Sequence, residues 1–68
     1  MSNDQAIQDN LIKAASRIGD ITHVVAESYE DGSRISQDEK IALLSYCMTA
    51  NEAIRIALIL LATMAGEA

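Results

Sequence analysis

Few side chains in this sequence are of a kind that does chemistry. His23 and Glu27 stand one helical turn apart, and Cys47 is the one thiol. An imidazole and a carboxylate at that spacing can both touch a metal ion, but a complete site needs further ligands, which here would have to come from a symmetry mate. Cys47 has no second cysteine to bridge with, and His23 falls on a different helix of the pattern described below. That separation removes the usual activating base. A thiol in an apolar seam is expected to be buried and structural. No glycine-rich phosphate loop, nucleophile elbow or paired metal-binding helix motif is present. The expectation is a protein that is not an enzyme and carries no metal or cofactor, its carboxylates serving as solvated surface charge.

Size points to the alternative. Sixty-eight residues make one small domain, and small domains bury too little surface to be comfortable without disulfides, a metal or a second copy. With the first two removed, oligomerisation remains. Half the residues are hydrophobic, yet Tyr29 and Tyr46 are the only aromatic ones, so the core must be aliphatic and alanine-rich, which suits closely packed helices. Absence of proline and of strand-like alternation predicts an all-α chain. The net charge of −5 argues against nucleic acid or an anionic membrane as partner, both of which attract clustered Lys and Arg. Residues Met1 to Gln5 carry no basic segment of the secretory kind, so the expected location is the cytoplasm. The apolar run Ala53 to Ala65 holds Arg55 near its start and falls short of the ~20 residues that cross a bilayer. No membrane span is expected.

The elements that must position these residues are two helices, each opened by a capping box: Ser2 with Gln5, and Ser36 with Glu39. Asp4 and Asp38 add negative charge to the first turns, where it opposes the helix dipole. Glu30, Asp31, Gly32 and Ser33 form a polar turn, with Gly32 free to take the left-handed conformation that ends a helix. The reading is a single antiparallel hairpin, with one helix over residues 3–30, a turn over 31–35 and a second helix over 37–65.

In the first helix Ile7, Leu11, Ala14, Ile18, Ile21 and Val25 alternate at spacings of four and three, a heptad-like seam. Asp9, Lys13, Arg17, Asp20, His23, Glu27 and Glu30 fall opposite, with Asp9 and Lys13 ordered for an ion pair. Gly19 interrupts the helix, either to admit a close neighbour or as a tolerated surface glycine. The second helix has two seams. Leu44, Cys47, Asn51, Ile54, Leu58, Leu61 and Ala65 make one; Leu43, Ala50, Ala57, Leu60 and Met64 make the other. Two seams imply two partners: the first helix of the same chain, and a second subunit that completes a four-helix bundle. The dimer interface is expected at Leu44, Cys47, Asn51, Ile54, Leu58 and Leu61, with Asn51 able to set register by pairing across a symmetry axis. The polar stripe Ser45, Thr49, Glu52 and Arg55 is lost at Ile56 and Ile59. Ile56, Ile59, Leu60 and Thr63 are therefore the candidate contact surface for a partner protein.

Ser36 to Leu43, reading S-Q-D-E-K-I-A-L, is similar to the start of the Rop family of plasmid proteins, whose dimeric helical hairpins bind paired RNA loops. The resemblance implies the hairpin-dimer architecture alone. The family's RNA-binding face is basic with an aromatic contact, whereas Ser45, Thr49 and Glu52 supply neither here. Lys13 and Arg17, doubled by symmetry, would be the basic residues of an RNA-binding alternative. The leading expectation is a small regulatory or inhibitory protein of the phage or mobile-element kind, dimeric and acting on another protein. A purely structural oligomerisation unit is the third reading.

Overall fold

The computed structural model describes residues 3–32 and 34–67. Helix α1 runs Asn3–Asp31 and helix α2 runs Gln37–Glu67, one residue and two residues beyond the expected ends. They pack against each other as an antiparallel hairpin.

Each end of the connection has a local cause. Gly32 adopts φ 68°, and its N–H donates to the Tyr29 carbonyl at 3.3 Å, so α1 stops where a residue without Cβ can turn left-handed. The capping box at α2 forms in both directions. Glu39 N–H donates to Ser36 Oγ at 3.1 Å, and Ser36 N–H donates to Glu39 Oε1 at 2.8 Å. The Ser36 backbone N–H and hydroxyl together hold the Glu39 carboxyl below its ordinary pKa. The companion box at Ser2 lies outside the described residues. Farther along α1, Asp9 accepts a hydrogen bond from Gln5 Nε2 at 2.9 Å in place of the expected pair with Lys13.

The contact between the helices follows a heptad on each. Ile7, Asn10, Ala14, Arg17, Ile21, Val24 and Ser28 face inward from α1; Leu43, Tyr46, Ala50, Ala53, Ala57, Leu60 and Met64 face inward from α2. The most deeply buried are alanines, Ala14, Ala50, Ala53 and Ala57, down to 1% exposure at Ala57. Alanine at successive contact positions lets two helices approach toward the short end of the usual 8–10 Å axial separation.

This seam corrects the expected one on α1. Ile7, Ala14 and Ile21 belong to both, but Leu11, Ile18 and Val25 turn outward, while Asn10, Arg17 and Val24 replace them. Close packing against alanines explains the rotation. The small Ala50, Ala53 and Ala57 leave room for Asn10 and Arg17 on the contact line, and the polar residues brought inward find local partners. Asn10 Nδ2 donates to the Ala6 carbonyl at 2.8 Å, and the Arg17 guanidinium pairs with Asp20 Oδ2 at 2.9 Å. Arg17 in the seam and Asp20 beside it are thus half-buried and not part of a solvated opposite face.

The hairpin is elongated and not a globule. It measures 49 × 19 × 18 Å with a radius of gyration of 15.4 Å, against about 11 Å for a compact domain of this length.

Candidate interaction face

The helical periodicity divides the hairpin into two sides. Residues four positions after Ile7 on α1 are Leu11, Ile18 and Val25; the equivalent positions after Leu43 on α2 are Cys47, Ile54 and Leu61. Antiparallel helices meet like flank to like flank, so both sets lie on one side of the layer, here termed the front. Leu11, Ile18, Val25, Ile54 and Leu61 are each between 42% and 47% exposed. One step farther out, the front continues through Ala15, Thr22 and Tyr29 on α1 and through Leu44, Asn51, Leu58 and Ala65 on α2. Leu44 and Leu58 are each 62% exposed. Beside α1 a shallow groove of about 410 Å³ runs from the front around the outer edge of the helix, lined by Ile21, Thr22, Val25, Ala26, Tyr29 and Glu30.

The reverse side differs between the helices. On α1 it carries Lys13, Asp20 and Glu27 with Asp9, His23 and Glu30 beyond them. His23 Nε2 lies 3.4 Å from Glu27 Oε1, both largely exposed, and no group of three metal-binding side chains occurs among the described residues. On α2 the reverse carries Thr49, Ile56 and Thr63, then Ser45, Glu52 and Ile59. Thr63 Oγ1 donates back to the Ile59 carbonyl at 2.9 Å.

All six residues expected at a dimer interface, Leu44, Cys47, Asn51, Ile54, Leu58 and Leu61, thus share the front and are exposed in the single hairpin. Cys47 is therefore not a buried thiol within one chain; an alanine-lined contact leaves it on the flank. Of the four candidate partner residues, Ile56, Ile59 and Thr63 lie on the reverse. Leu60 does not, because it sits half-buried in the seam against α1. Sequence reasoning missed Leu11, Ile18, Val25 and Tyr29 as face residues. Their spacing alone fits a core stripe as well as a face, and only the alanine contact on α2 decides between them.

α2 also corrects the argument from the short apolar run. From Gln37 to Gly66 it is long and apolar enough to cross a membrane by length and composition, with mean hydropathy 1.4 over its most apolar 18 residues, because apolar residues from Ile41 to Met48 extend the run beyond its break at Asn51, Glu52 and Arg55. A charged side chain at the centre of a bilayer-spanning helix costs about 2.5–3.5 kcal/mol on insertion scales.

The chain is defined by these features as a two-helix antiparallel hairpin with an apolar front and further exposed apolar residues at Ile12, Ile41, Met48, Ile56 and Ile59. Comparison with family models, curated proteins and solved structures finds no match. The Rop-like segment Ser36 to Leu43 is, in the structure, a capped helix start.

Proposed function

We propose that this chain acts as a homodimer whose hairpins stack front to front into a four-helix bundle, and that it regulates or inhibits a protein partner without catalysis. The observation that supports this is the apolar front shared by both helices. The accessible surface of the hairpin is 5206 Å², about 1,000 Å² above the ~4,200 Å² of a compact monomer of this mass. A standard interface covers about 800 Å² on each partner. The surplus therefore matches what one second copy would bury.

Water and not lipid is the proposed surrounding, in keeping with a cytoplasmic protein, because Asn51, Glu52 and Arg55 cluster at the middle of α2, where a bilayer would tolerate them least. Once the fronts are covered, Ile56 and Ile59 remain on the reverse as the apolar contact for a partner protein, with the acidic flank of α1 beside it. Stacking two amphipathic layers leaves Ile56 and Ile59 outside, with Ile12, Ile41 and Met48 exposed along the outer edges, and such apolar surface suits binding.

Light scattering tests the dimer. The wild-type chain is expected at twice its 7.3 kDa mass, Leu58→Asp on the front as a monomer, and Ile59→Asp on the reverse still as a dimer. A wild-type monomer at micromolar concentration would overturn the reading. For the partner role, Ile59→Asp is expected to lose, as an intact dimer, the regulated protein that wild type retains.

A further inference from the structure

We infer that the second copy docks head to tail, its connecting turn beside the open end of the first, with the two-fold axis passing at Asn51 so that the two Asn51 amides pair. This rests on the dimer reading above and adds the orientation. α2 spans Gln37–Glu67, so its midpoint is residue 52, and Asn51 is the polar residue nearest that midpoint on the front. Two front-to-front orientations have two-fold symmetry. Head to tail, each helix lies across its own copy and residues equidistant from the axis meet, so Asn51 faces Asn51 and the two amides satisfy each other as donor and acceptor. Head to head, α2 lies across α1 of the other chain. Asn51 then meets the Ala15 and Thr22 stripe, where the Thr22 hydroxyl, its proton already given to the Ile18 carbonyl at 2.9 Å, can accept from the amide nitrogen but cannot donate to the amide oxygen. A buried amide without full partners is strongly disfavoured.

Charge favours the same orientation. The turn end concentrates Glu27, Glu30, Asp31, Asp38 and Glu39 against Arg34 and Lys40. Head to head, the two acidic ends would stack at about the ~10 Å Debye length, where screening is incomplete. Head to tail, they stand at opposite ends of a 49 Å hairpin, each beside an open end whose acidic excess is smaller, Asp4, Asp9 and Glu67 against Lys13 and Arg55.

With the axis at Asn51, Leu44 of one chain meets Leu58 of the other, each seven residues from Asn51. The test uses the full chain carrying Cys47→Ser, so that no native thiol competes. Leu44→Cys and Leu58→Cys chains bearing different tags are mixed and oxidised mildly, with light scattering on the same samples before oxidation. The mixed disulfide is expected to exceed either self-linked product at least ten-fold. Asn51→Cys alone is expected to link to itself, which covers the case of one leucine variant failing to fold. Leu44→Cys self-linking, or a dimer that gives neither product, overturns the orientation and leaves the dimer standing. A monomer before oxidation in the Cys47→Ser chain overturns the dimer itself.

Discussion

The guanidinium of Arg17 on α1 lies over the ring of Tyr46 on α2, 5.7 Å from its centroid, while one of its nitrogens holds Asp20 at 2.9 Å. A charged residue at a seam position is explained by this pairing: the ring receives the cation, the carboxylate balances it, and the aliphatic stem covers apolar surface. It also accounts for why Arg17 is a poor candidate for holding RNA. Arg17→Ala is expected to lower stability by about 0.5–1 kcal/mol, the range of a partly exposed cation–π contact. Tyr46→Phe keeps the ring and should change little. Thermal melts of the two variants, followed by circular dichroism, check the pair.

The Ser36 and Glu39 capping box makes stability depend on acid in a defined direction. Glu39 is held below its ordinary pKa by the hydrogen bonds from Ser36, so the unfolded chain takes up the proton first as pH falls. The contribution is complete above the ordinary glutamate pKa and is lost as pH drops through the lower folded value. Glu39→Gln can still reach back to the Ser36 N–H but cannot titrate. Its stability is expected to vary less with pH across the acidic range than that of wild type, as read from denaturant midpoints. Ser36→Ala removes the cap itself, at a cost of about 1 kcal/mol.

The alanine contact admits no larger side chain. Ala53 is 2% exposed and Ala57 1%, so Ala53→Leu or Ala57→Leu must push the helices apart or force strained rotamers, with an expected loss of about 1–3 kcal/mol. The same change at Ala62, which points into solvent, should be nearly neutral. A denaturant series on the three variants separates packing from helix propensity, since leucine and alanine are both good helix formers.

Much of this fold was legible because helix punctuation is local. Ser36 with Glu39 and Gly32 mark boundaries through hydrogen bonds reaching three residues at most, and both marks form as read. The all-α hairpin follows from them. The rotation of α1 was not legible, because Leu11, Ile18 and Val25 keep the same spacing as Asn10, Arg17 and Val24, one position earlier. What decides is the partner surface. Ala50, Ala53 and Ala57 make α2 narrow along one line, with room for Asn10 and Arg17 on it, and Leu11, Ile18 and Val25 lie to its side. The candidate face shows the same division. The α2 residues of the front were readable as a second seam, whereas its α1 half became visible only once the rotation was known.

Gly19 separates two uses of a helix glycine. An added Cβ there would meet nothing within 4 Å, and the position points away from α2 within the plane of the layer, outside the front that a second copy would cover. A glycine retained for close approach would lose dimer affinity on Gly19→Ala. One that is merely tolerated would gain helix stability, by about 0.5–1 kcal/mol, as the unfolded chain becomes less free. The front-to-front arrangement requires the second result: a higher melting temperature with the dimer mass unchanged. If Gly19→Ala instead weakens association, the outer edge of α1 is part of the interface, and the second copy packs side by side and not front to front.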